Sequence, residues 1–225
     1  MEICNYTITE KLNNSPYTFV YRGIQKETGK TAVLKMPRSN YPTAEELSKI
    51  RHEYELCSLF QHNKIISVLG LEEHDHRLVL IREDFDGIPI SSIKKTGAQD
   101  LPWFFDIAIQ ITDALKEVHR KNVIFKNLCP NNILYRAITG RIKLLDFSIA
   151  SITEQETPYR AETFAPEGSL AYISPEQTGR LDQVLDYRSD FYSLGVTLYQ
   201  LLTGHLPFIS NNPVELIHDH IARMP

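Results

Sequence analysis

The stretch that most constrains this chain is Val123-Ile-Phe-Lys-Asn-Leu-Cys-Pro-Asn-Asn-Ile-Leu-Tyr135, with Ile142-Lys-Leu-Leu-Asp-Phe-Ser148 close behind it. Short apolar runs of this kind read as strands, and the polar residues between them read as a loop. A polar loop between such runs with an acidic tip after them is how a fold places one amide and one carboxylate around a metal ion.

The flanking sequence supplies a frame for that loop. Ile107, Ile111, Leu115 and Val118 make a helical stripe within residues 101–120, leading directly into the loop. Residues 186–204 are apolar around most of a helix, so the spacing predicts a helix buried on nearly all sides. Asn212-Pro213 is a start signal for a last helix reaching Ile221. Nearer the N-terminus, Tyr6 to Arg22 reads as two strands, and Thr31-Ala-Val-Leu-Lys35 as a strand closing on a lysine. Thr43-Ala-Glu-Glu46 is a capping box, and Leu47, Ile50, Tyr54 and Cys57 then recur at helical spacing with Glu53 beside the stripe. Residues 62–70 and 77–87 read as two more strands, with a turn over Glu72 to His76 and a linker at Asp86-Gly87.

With these residues in place the chain resembles the protein kinase family, whose catalytic loop is His-Arg-Asp-Leu-x-x-x-Asn followed by Asp-Phe-Gly. Phe125-Lys126-Asn127 falls on His-Arg-Asp, Asn132 on the metal-binding Asn, and Asp146-Phe147-Ser148 on Asp-Phe-Gly. Gly168-Ser-Leu-Ala-Tyr-Ile-Ser-Pro-Glu176 matches the segment that separates protein kinases from small-molecule phosphotransferases of similar fold. The resemblance implies an α+β, bilobal fold: a small β-rich N-lobe with one main helix over residues 1–86, and a mostly helical C-lobe over 87–225. Together they form one kinase-like domain, whose last helices would lie beyond Pro225. The wording of residues 171–180 and 186–192 is similar to the kinase-like domains at the N-terminus of large hybrid sensor histidine kinases.

The same resemblance implies a site. Lys35 would pair with Glu53 and reach the ATP phosphates, while Val20, Ala32 and Leu134 line adenine and the backbone of Glu83 and Phe85 hydrogen-bonds it. Asn132 and Asp146 would hold Mg²⁺, and Asp190 would brace the loop backbone. Cys57, Val68, Phe125 and Phe147 take the stacked apolar positions that link the lobes. Several positions depart from the pattern. Asn127 stands where the family keeps its catalytic base, and an amide has no useful basicity near neutral pH. Cys129 stands where Ser/Thr kinases usually place a lysine near the transferring phosphate. Asn13, Ser15 and Thr18 take the three glycine positions of the phosphate-covering turn. Arg82 takes the position at the back of the adenine pocket, and Lys126 keeps the charge of the family's Arg without its fork. Thr153, Thr157, Tyr159 and Thr163 lie in the polar segment that corresponds to the activation loop.

Composition narrows the partners. A formal charge of −4, with no basic stripe interleaved with aromatics, excludes nucleic acid as the expected partner. Three scattered cysteines fit free thiols in a reducing compartment, and neither a leader nor a bilayer-crossing run is visible, so the expectation is a cytoplasmic protein without membrane insertion. His119 reads as a packed or surface histidine rather than a ligand, since no second His or Cys stands at metal-binding spacing. Three functions follow from these residues. One is an Mg²⁺–ATP-binding module with weak or absent transfer to protein Ser/Thr, acting on a protein substrate or an adjoining signalling domain. The others are an active Ser/Thr kinase and a nucleotide-free interaction domain.

Overall fold

A computed structural model describes residues 1–15, 17–93, 101–153, 169–180 and 184–224, without the side chains of Asn13 and Asn14. The chain divides into two compact units, Met1–Asp86 and Gly87–Pro225.

The first unit is a six-stranded antiparallel sheet with one helix. Its strands are β1 (Glu2–Ile3), β2 (Tyr6–Asn14), β3 (Thr18–Gln25), β4 (Thr31–Pro37), β5 (Val68–His74) and β6 (Arg77–Glu83), in the order β1-β2-β3-β4-β6-β5. The pleat sorts the side chains. Ile3, Tyr6, Tyr21, Ala32, Leu34, Met36, Val79 and Ile81 form a buried cluster on one face. Gly23 permits close approach of β2 and β3, since a methyl there would sit 3.2 Å from the Thr7 carbonyl oxygen. Helix α1 (Ala44–Ser58) packs against β4, β5 and β6. It starts at Thr43, whose hydroxyl accepts from Glu46 N while Glu46 accepts from Thr43 N, the reciprocal arrangement that satisfies two orphan donors.

The second unit is assembled around α2 (Leu101–Arg120), whose buried stripe is Phe104, Ile107, Ile111, Ala114, Leu115 and Val118. Strands β7 (Ile88–Pro89), β9 (Ile133–Arg136) and β10 (Arg141–Leu144) form one small antiparallel sheet, and β8 (Val123–Ile124) pairs with β11 (Ser151–Ile152) in another. Helix α2 packs on β8, β10 and α3 (Arg188–Thr203), and α4 (Pro213–Ala222) follows, capped by Asn212, which accepts from Val214 N. Burying the amphipathic stripe of α2 under two strand segments fixes the height at which β8 enters the loop and β10 leaves it.

The architecture is α+β, with three local departures from the sequence expectation. Residues 62–67 are not a continuous strand: Ile65 N donates to the His62 carbonyl across a turn at 63–64, and Ile65, an isolated bridge, and Ile66 are buried just after it. The hairpin between β5 and β6 is tighter than the span 72–76 and turns at Asp75 and His76, both at positive φ. Helix α3 is not buried on nearly all sides. Its packed face is built from Ser189, Asp190, Ser193, Val196 and Thr197, while Phe191, Gly195 and Leu202 are exposed. Small hydroxyl side chains let α3 approach its neighbours closely, and the larger apolar ones are displaced to its flanks. Among the described residues, no helix is long and apolar enough to cross a membrane.

Candidate active site

In the first unit, β-register decides which side chains share the surface opposite the apolar cluster. Val20, Lys35 and Leu80 are direct cross-strand partners, as are Arg22, Val33 and Arg82 on the next rung. Residues opposite one another or two apart on adjacent strands point the same way. Lys35 and Arg82 are therefore diagonal neighbours, and both meet α1. Lys35 Nζ donates to Glu53 Oε2 at 2.6 Å, and Arg82 Nη1 lies 3.9 Å from Glu53 Oε1. Glu53 is 0% exposed, which makes it a fully desolvated carboxylate held by one close cation and approached by a second.

This register corrects the assignment of Ala32 as a ligand contact. Ala32 packs with Leu34 and Met36 in the apolar cluster, on the face away from Lys35. Val33, two residues before Lys35, shares the lysine's face instead; the sequence assignment slipped by one residue, which inverts the face of a strand. Val20 is buried directly across from Lys35. Glu83 clasps Ser67: its N–H donates to the Ser67 carbonyl at 2.9 Å and its carboxylate accepts from Ser67 N at 2.6 Å. Phe85, just after β6, is partly buried.

In the second unit the loop between β8 and β9 is held from beneath. Asp190, 0% exposed near the start of α3, accepts from Phe125 N at 2.8 Å and from Lys126 N at 2.7 Å. His119 Nε2 lies 2.8 Å from the same carboxylate, and its ring stacks against Tyr187 and Phe191. Gln177 Nε2 donates to the Lys126 carbonyl at 3.1 Å. These bonds over-determine Lys126, whose φ of 63° is costly for a residue with a side chain. Asp146 is in the same left-handed region at 70°. Beneath them Phe125 and Phe147, both 0% exposed, meet edge to face at 4.8 Å.

The polar rim of that loop is an amide network closing on an acid. Asn127 Nδ2 donates to Asp146 Oδ2 at 3.1 Å, Asn132 Nδ2 donates to the Asn127 carbonyl at 2.8 Å, and Leu145 N donates to the Asn132 carbonyl at 3.0 Å. Asn127 thus acts as a donor toward Asp146, and an amide so employed takes no proton from anything. Cys129 is buried, and burial pushes its thiol up to about 11, so it brings no charge to the loop. Leu134 is partly buried on β9, opposite Lys143 on β10 and Pro89 on β7. Among the described residues no group of three or more His, Cys, Asp or Glu is placed to hold a metal ion. A cation at the rim would depend on Asn132, Asp146 and oxygens from its ligand, the mixed set magnesium favours.

Glu176 accepts from Ser189 Oγ at 2.5 Å. Thr157, Tyr159, Thr163, Gly168 and the side chain of Asn13 lie outside the described residues. Two features had no signal in the sequence: the approach of Arg82 to Glu53, and the left-handed backbone at Lys126 and Asp146.

Comparison with known proteins bears on the whole chain. The protein kinase domain family matches residues 6–224. A probable serine/threonine-protein kinase of Clostridium perfringens is 28% identical over 218 residues, covering 96% of this chain and 31% of its own length. The serine/threonine-protein kinase PknB of Mycobacterium leprae is 32% identical over 182 residues, 79% of this chain and 29% of that protein. The serine/threonine-protein kinase pkn3 of Myxococcus xanthus is 33% identical over 224 residues, 92% of this chain and 39% of that protein. The chain therefore spans about a third of the length of these relatives.

Proposed function

The chain belongs to the protein kinase family, and from that premise we propose that it is a module for binding Mg²⁺–ATP whose transfer of phosphate to protein Ser/Thr is weak or absent. The observation that carries this reading is the direction of the Asn127 hydrogen bond, from amide to Asp146 carboxylate at 3.1 Å. A group that would accept the acceptor hydroxyl's proton is replaced by one that donates its own.

The residues present fit the ligand. Lys35, positioned by Glu53, would bind phosphate oxygens, and Asn132 with Asp146 would bind Mg²⁺. The Asn132 N–H is committed to the Asn127 carbonyl, which makes its amide oxygen the group available to a cation. When bound, Mg²⁺ neutralises charge on the phosphates and orients them. The chain's own residues bind and orient; the proton transfer that a carboxylate would assist, typically worth ~10²–10⁴-fold, has no group at position 127 to perform it. The partner is a protein Ser/Thr substrate or an adjoining signalling domain, such as the sensor regions of a hybrid histidine kinase.

Thermal unfolding with and without Mg²⁺–ATP tests binding, since a ligand at 100 times its dissociation constant adds ~2.7 kcal/mol of stability. The expected result is a stabilisation lost in Lys35→Met and Asp146→Ala. Phosphate transfer should be weak in the native chain and rise ~10²–10⁴-fold in Asn127→Asp. Robust native transfer abolished by Asp146→Ala would establish an active kinase instead, and no stabilisation at saturating nucleotide would establish a nucleotide-free interaction domain.

A further inference from the structure

We propose that Arg82 is a second phosphate-binding cation beside Lys35, the two forming a seat for an anionic phosphate group in the first unit. The proposal rests on the nucleotide reading above and extends it, because it assigns the ligand's charge to a residue at which the family usually places a small or apolar side chain.

Register puts the two cations together. Lys35 lies across from Leu80 and Val33 across from Arg82, so Arg82 and Lys35 project from the same face one diagonal step apart. Both approach the same carboxylate, one at each oxygen of Glu53. Their environments differ. Lys35 is within hydrogen-bond distance of Glu53 at 2.6 Å, whereas Arg82 Nη1 at 3.9 Å is too far for one. Arg82 is 7% exposed, and its Nη1 is buried with no hydrogen-bond partner.

A guanidinium cannot shed its charge to relieve that burial. Its compensation must come from an anion, and among the described residues the carboxylate within reach is the one already bonded to Lys35. A phosphate drawn to Lys35 offers what the carboxylate does not, namely further oxygens for the unsatisfied Nη1. The planar fork of arginine matches phosphate geometry, which a lysine or an apolar side chain at position 82 would not reproduce. The alternative role for so long a side chain is obstruction, and the two make opposite predictions for its removal.

The test is calorimetric titration of the chain with three probes: inorganic tripolyphosphate, Mg²⁺–ATP and adenosine. The variants are Arg82→Met, Arg82→Lys and, as a reference for the phosphate site, Lys35→Met. The expected result is that Arg82→Met weakens tripolyphosphate and ATP by about tenfold or more and leaves adenosine unchanged, with Arg82→Lys intermediate. A purely structural arginine would move all three probes together. Unchanged or tighter triphosphate binding in Arg82→Met overturns the proposal while leaving the nucleotide reading standing. Tripolyphosphate binding that depends on Arg82, without any ATP binding, keeps the anion seat and overturns the nucleotide reading. Failure of the native chain to bind either polyphosphate overturns both.

Discussion

Glu53 in the first unit and Asp146 in the second are answered in different currencies of charge. Glu53 is met by two cations, Lys35 at 2.6 Å and Arg82 at 3.9 Å, in a fully desolvated position. Asp146 is met by the neutral amide of Asn127 at 3.1 Å. The first arrangement concentrates charge in a low-dielectric place, where electrostatics is strong and removal of a partner is costly. At position 127 the second places a neutral hydrogen-bond donor against the acid. A third acid, Asp190, shows that the second unit does bury charge where architecture requires it: two backbone N–H groups and His119 converge on it. What the second unit lacks is a charged group at position 127, where a proton would have to move.

The sharpest way to break this contrast is to remove each acid in turn. Asp190→Ala strands two backbone donors and a histidine beneath the loop, and should cost about 3–5 kcal/mol of unfolding free energy by urea denaturation. Glu53→Ala leaves two buried cations without their shared carboxylate and should cost about 3 kcal/mol, with much of it recovered when Lys35 and Arg82 are also made apolar. Asn127→Ala removes a hydrogen bond from a neutral donor to a carboxylate and should cost about 1.5 kcal/mol. If Asn127→Ala proves as damaging as Glu53→Ala, the distinction between a charged and a neutral support fails.

How much of this was visible in the residues depends on the range of the contact. The capping box at Thr43 and Glu46 and the stripe of α2 are local patterns, and both helices run as their periodicity implies. The choice between Ala32 and Val33 turns on a single step of strand parity, which the run Thr31-Ala-Val-Leu-Lys35 does not display until β4 is paired with β3 and β6. The approach of Arg82 to Glu53 needs that register and the placement of α1 together. The positive φ at Lys126 is held by Asp190 and the neighbouring loop bonds against the residue's own preference, so no propensity could reveal it. The run 62–67 misled because adjacent isoleucines bury as well in an irregular segment after a turn as in a strand.

Asn127→Asp sharpens the comparison from the other side, by converting the neutral support into a charged one. Two carboxylates at the present 3.1 Å separation repel, and one of them must take up a proton or move. The pair's carboxyl pKa is then raised above its unfolded value, so the variant's deficit is absent in acid and grows as pH rises through the carboxylate range. The expected loss at neutral pH is about 1–2 kcal/mol without Mg²⁺, shrinking when the cation is added. A variant as stable as the native chain at neutral pH without metal would show that residue 127 and Asp146 are not coupled.

The smallest effect concerns His220, which ties α4 to α3. Its ring is 4% exposed, faces the Tyr192 hydroxyl at 2.8 Å, and stacks edge-on against Phe208. Burial holds its pKa below the usual histidine value, with the Leu170 backbone and the Asp219 carboxylate pulling the other way. A depressed folded pKa means that the unfolded chain binds the extra proton first. The contribution is therefore present above the ordinary histidine pKa and is lost as pH falls from there through the lower folded value. Denaturation midpoints should decline over that window in the native chain and decline less in His220→Gln, which keeps an acceptor for Tyr192. Because the first unit has no buried histidine among its described residues, hydrogen exchange should report the loss in α4 and spare α1. Equal acid sensitivity in the two helices would mean that His220 is not its source.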